Sequence, residues 1–216
     1  MMTIEWKTSI NAVPYEEALL FMENRVNEII KGKQKELIWL LEHPPIYTSG
    51  TSSKTEDLFN PKNLPVYEAK RGGQYTFHGP GQRIVYVMLD LNKRGRDVRK
   101  FVKNLENWII YTLSHFNIES FTRHNRIGVW VKRPEKPTSK QGVICEEKIA
   151  AVGIRLRKWV SFHGISINVN PELSYYKGIV PCGISDHGVT SMKDLGKHTT
   201  VKEIDKIFQK SFNLYF

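Results

Sequence analysis

Two side chains in this sequence have neighbours that suit them to covalent chemistry. Cys182 lies between Pro181 and Gly183 in Ile179-Val180-Pro181-Cys182-Gly183-Ile184. A cysteine so placed sits on a shaped turn, where backbone N–H groups can surround the sulfur. Free thiols titrate near ~8.5, so a nucleophilic role needs a nearby cation or base. Lys148 opens the run Lys148-Ile149-Ala150-Ala151-Val152-Gly153-Ile154-Arg155. Small and apolar neighbours put its ammonium at the start of a strand with buried surroundings. Partial burial weakens a lysine's preference for the charged form and prepares it for proton transfer; the bland alternative is a solvated strand-end lysine. The other cysteine, Cys145, stands three residues before Lys148 in a proline-bearing tip and reads as incidental.

Two further stretches are shaped for contact with a ligand. Arg71-Gly72-Gly73-Gln74-Tyr75-Thr76-Phe77-His78-Gly79-Pro80-Gly81-Gln82 packs four glycines, a proline and a histidine into twelve residues. Glycines let the backbone approach a ligand and offer it N–H groups. Arg71 suits a carbonyl or phosphate, and His78 suits orienting a polar group. A bulged strand pair with an irregular turn is the competing reading. In Phe162-His163-Gly164-Ile165-Ser166-Ile167-Asn168-Val169-Asn170, Gly164 marks a bulge or close backbone contact. Asn168 and Asn170 suit loop-holding hydrogen bonds, and His163 alone reads as structural.

Several chemistries lose support. The chain has no GxxxxGK[ST], no strand-linked GxGxxG, no CxxC and no HExxH. Its seven histidines lack metal-ligand spacing, so no metal is expected. Two cysteines make no disulfide framework. No apolar run approaches the roughly 18 residues of a membrane span, and the opening MMTIEWKTSINAVPYEEA has no apolar signal core, so a cytoplasmic protein is expected. The net charge of +10 attracts something anionic: nucleic acid, anionic lipid or an acidic protein. The basic residues are dispersed, however, without a nucleic-acid-binding signature.

The elements that must position these residues follow from periodicity. Tyr15 to Lys31 carries Ala18, Leu19, Met22, Val26, Ile29 and Ile30 at helical spacing. Val98 to Phe116 is a second amphipathic helix, and Thr200 with Glu203 caps a third through Phe212. Strands are expected at Glu36 to Leu41, Val66 to Ala69, Arg83 to Leu89, Gly128 to Lys132, Lys148 to Arg157 and Phe162 to Val169. Arg133 to Glu147, with Pro134, Pro137 and Gly142, reads as a mobile hairpin tip. Helices among short strands without βαβ alternation predict an α+β fold, mixed sheets flanked by helices in a single domain over residues 1–216.

In order, the blocks RGGQYTFHGPGQ, GVWV, KIAAVGIR, SFHGISINVN and VPCG resemble the lipoyl/octanoyl transferase family, across about half of the chain, and EHPPIYTSG is similar to that family's early loop. The resemblance implies a fold like the catalytic domains of biotin protein ligases and lipoate ligases. It implies a catalytic Cys182–Lys148 dyad. Acyl-chain contacts would come from Arg71, Gly72, Gly73, Gln74, Tyr75, Thr76, Phe77 and His78, from Ala151, Val152 and Gly153, and from Gly164, Ile165 and Ser166. The implied reaction carries an octanoyl group from octanoyl-acyl carrier protein to a lysine of lipoyl domains of 2-oxoacid dehydrogenases or of the glycine cleavage H protein. No cofactor and no nucleic acid take part, and the acidic carrier gives the positive charge a partner. The long Arg133–Glu147 tip departs from the family and leaves the local docking surface open. An ATP-dependent ligase on the same fold is the alternative reading, and a basic nucleic-acid-binding module is the alternative from another class.

Overall fold

The structure, a computed structural model, describes residues 4–124, 126–137, 142–180 and 188–216. The described residues form a large mixed sheet, a small sheet and three α-helices. The large sheet contains β1 (Glu5–Thr8), β2 (Leu37–Leu41), β6 (Gln82–Met88), β10 (Val160–Asn168), β9 (Glu146–Arg157), β8 (Arg126–Lys132) and β7 (Phe121–Arg123) in that spatial order. β11 (Gly188–Val189) pairs in parallel with β9 beyond the end of β10. The small sheet orders β4 (Val66–Glu68), β3 (Ile46–Ser49) and β5 (Thr76–His78).

The run at β2 is apolar throughout because both of its faces are covered. Ile38 and Leu40 join Val85, Val87, Trp108 and Ile109 under α2 (Val98–Ser114) and α3 (Val201–Ser211). Leu37, Trp39 and Leu41 turn the other way, onto Ala18, Met22 and Val26 of α1 (Tyr15–Ile30). Alternation by two along a strand therefore feeds two cores. Asp97 caps α2 by accepting from the Lys100 N–H, and the Thr200–Glu203 capping box opens α3 as expected.

Two expectations change. The strands expected on either side of the glycine-rich stretch, at Val66 to Ala69 and Arg83 to Leu89, lie in different sheets, and β5 occupies part of the chain between them. The Arg133–Glu147 tip is also shorter than expected. Arg133 is buried and donates to Glu147 Oε2 at 2.5 Å and Asp194 Oδ2 at 2.6 Å, while Glu146 and Glu147 are already buried strand residues of β9. Residues 138–141 of that segment lie outside the described residues.

Candidate active site

The loop Arg71–Gln74 bridges the small sheet to the large one. Its anchors are backbone hydrogen bonds: Gly72 N donates to Ile154 O on β9 at 3.1 Å, and Thr51 N donates to Arg71 O at 2.8 Å. The Arg71 guanidinium braces the same loop, donating to Thr48 O at 3.1 Å, Thr48 Oγ1 at 2.8 Å and Gly72 O at 3.0 Å. Gly153 permits this approach, since a Cβ there would stand 2.9 Å from Arg71 Cδ.

Between that loop and strands β9 and β10 lies a narrow cavity of about 60 Å³. It is lined by Arg71 to Thr76 and His78, by Ala151 to Gly153, and by Gly164 to Ser166. Phe77 is not among its lining residues. On β5, Thr76 and His78 line the cavity, while the ring between them stacks on Tyr175 at 4.8 Å between centroids. His78 is fixed from behind. Its Nδ1 meets Gln82 Oε1 at 2.7 Å, and Gln82 Nε2 in turn donates to Asn168 Oδ1 and Tyr176 OH. That donation fixes Oε1 as the acceptor, so the His78 proton sits on Nδ1.

Tyr15, Ile84, Tyr86 and His163 also line the cavity, with His43 behind them. His43 Nδ1 donates to Val13 O at 2.6 Å, so its Nε2 accepts from Tyr86 OH at 2.6 Å. Burial lowers His43 to about 4 and His163 to about 3, and it puts His78 well below the ordinary histidine range. Burial also pushes Tyr15 up to about 12 and Tyr86 well above its usual value. Near neutral pH these groups are uncharged, which suits an uncharged chain in the cavity. No spacing pointed to them, because His43, Tyr86 and Tyr15 come from three distant segments.

Lys148 stands beside this cavity. It lines a smaller recess with Ala150, Asn168, Tyr176 and Val189, and that recess shares Thr76, Ala151 and Ser166 with the large one. The side chain is buried, 6% exposed, rather than a solvated strand end. Its Nζ lies 4.8 Å from the centre of the Trp130 ring, a cation–π distance. The β8–β9 register slips here, from Val129↔Ala150 to Trp130↔Lys148, leaving Ile149 as an extra residue. Such a bulge re-aims the side chains next to it. On the far side of β9, Val189 pairs with Lys148 and Thr190 N donates to Lys148 O at 3.0 Å. Cys182 lies outside the described residues. Cys145 is described, and its carbonyl accepts from Arg133 N at the hairpin base.

A model of the lipoyl protein ligase A/B catalytic domain matches residues 14–213. The octanoyltransferase of Brucella melitensis is 58% identical over 213 residues, covering 99% of this chain and 81% of that protein. Among solved structures, a bipartite lipoate protein ligase of Thermoplasma acidophilum superposes with a TM-score of 0.67 at 13% identity, covering 99% of this chain and 84% of the other. The biotin protein ligase of Aquifex aeolicus gives 0.51 at 14% identity, covering 100% and 69%. At such identities these two likenesses speak for the fold, and the expected ligase-like α+β architecture is what they share with this chain.

Proposed function

The chain belongs to the lipoyl protein ligase A/B catalytic-domain family, and from that premise we propose how it works as an octanoyltransferase of protein lipoylation. That activity follows its 58% identical relative, whereas the ligases share only the fold at 13–14% identity. Its substrates are proteins such as lipoyl domains. The reading of donor, residues and intermediate is ours. Octanoyl-acyl carrier protein delivers the acyl chain into the cavity, and Cys182 attacks the thioester carbonyl carbon. Lys148 takes the thiol proton, and the phosphopantetheine sulfur leaves and is reprotonated. An acceptor lysine, on a lipoyl domain of a 2-oxoacid dehydrogenase or on the glycine cleavage H protein, then attacks the Cys182 thioester. Lys148 accepts the amine proton as the amide forms and the thiol is restored.

The observation that carries this reading is the placement of a buried lysine beside a cavity whose histidines and tyrosines are uncharged and which would hold an uncharged chain. Exchange between thioesters is nearly isoenergetic and amide formation from a thioester is downhill, so no nucleotide is needed. The +10 charge suits an acidic carrier protein, since opposite charge steers encounter. No helix among the described residues is long and apolar enough to cross a membrane, and we place the enzyme in the cytoplasm. Incubation with octanoyl-acyl carrier protein and a lipoyl domain, without ATP, should yield the octanoyl-lysine amide. Transfer that appears only with ATP and free fatty acid, with release of pyrophosphate, would instead make it a ligase.

A further inference from the structure

Helix α2 carries a carboxylate on its buried face. Phe101, Leu105, Trp108, Ile109 and Leu113 turn into the core as an amphipathic helix requires, and Glu106 goes in with them at 6% exposure. Burying a carboxylate is costly unless hydrogen bonds and charges compensate it. Here the compensation comes from the seat of Lys148. Glu106 Oε1 accepts from Gly128 N at 2.9 Å. Gly128 itself has φ +121°, and a Cβ on it would stand 2.8 Å from Ala150 O and 3.3 Å from Lys148 Cε. So the glycine that leaves room for the lysine stem is the glycine whose N–H holds the carboxylate, one residue before the β8–β9 register slip.

We propose that Glu106 is a positioning residue for Lys148, a buried carboxylate that holds the lysine's seat through Gly128 and gives it a negative neighbour. The proposal rests on the role given to Lys148 above. Charge supports it as well. Burial raises the proton affinity of Glu106, while the Gly128 N–H, Lys103 and Lys148 pull it back down. The attraction between the two groups is mutual. Several neighbouring charged groups are paired elsewhere. Arg123 and Arg126 bind Glu146, Arg133 and Lys136 bind Glu147, Arg133 also binds Asp194, and Lys103 donates to Thr122 Oγ1. From β10 and β11 the recess receives only uncharged side chains, Ser166, Asn168 and Val189.

The test is a pH profile of single-turnover transfer from an octanoyl-pantetheine thioester, run on the full chain and on Glu106→Gln, Glu106→Asp and Lys148→Ala. Glu106→Gln keeps an acceptor for Gly128 N and removes only the charge. Losing a buried negative charge beside the seat of Lys148 should move the ascending limb about one unit toward acid. Glu106→Asp should keep the limb where the parent has it. Competitive trace acetylation of Lys148 across pH, read by peptide mass spectrometry, should shift the same way and needs no turnover. An unmoved limb and unmoved acetylation in Glu106→Gln, with Lys148→Ala inactive, would overturn the role of Glu106 alone. A parental rate and profile in Lys148→Ala would overturn it together with the dyad.

Discussion

His43, His78 and His163 are kept neutral by burial, and that has a consequence for stability. The folded-state values of His43 and His163, about 4 and about 3, lie below the 6.5 of an exposed histidine. Their contribution is therefore complete above pH 6.5 and falls away as acid protonates the unfolded chain but not the folded one. Each group costs about 1.4 kcal/mol per pH unit within that window. Asp205, raised to about 6 by burial against the partial relief of Arg83, works in the opposite sense, because its contribution grows as pH falls through 6. Two histidines, with His78 shifted the same way, outweigh one aspartate. Urea unfolding should show stability dropping between pH 6.5 and 5, and constant or rising stability over that range would contradict the neutral floor. At this scale the sequence was legible where residue types were odd for their setting, as in Arg71-Gly72-Gly73 and in Lys148 ahead of Ala150-Ala151. It was silent on Glu106 and Tyr86, whose partners are supplied by other segments.

Elements were easiest to read where one physical cause dominates. The three helices follow from apolar spacing, and the structure begins them at Tyr15, Val98 and Val201. α3 is the clearest case: Thr200 Oγ1 accepts from Glu203 N at 3.3 Å, and Glu203 Oε2 accepts from Thr200 N at 2.8 Å. Removing that cap by Thr200→Ala should cost about 1 kcal/mol in urea unfolding. Transfer kinetics should be unchanged, because α3 packs against α2 away from the cavity. An unaltered midpoint would mean that packing of Ile204 and Phe208 alone sets this helix. Strands β1, β3, β5, β7 and β11 were not legible, and of the strands under five residues only β4 was read, since so few residues rarely show a period. β9 was read two residues short because Glu146 and Glu147 resemble a solvated run. Their burial depends on Arg123, Arg126 and Arg133, which arrive from other parts of the chain.

Across the whole molecule, β10 is buried along its length between two apolar layers, and the cavity forms where the small sheet's loop meets β9 and β10. The fold is common to ligases and transferases, so the chemistry has to be decided by what the chain does covalently. Intact-mass and peptide mass spectrometry after incubation with octanoyl-acyl carrier protein address that directly. One octanoyl thioester is expected, on Cys182. Cys182→Ala should lose both adduct and transfer while Cys145→Ala keeps both. An octanoyl group on Cys145, or turnover by the parent chain with no acyl-enzyme at all, would contradict it.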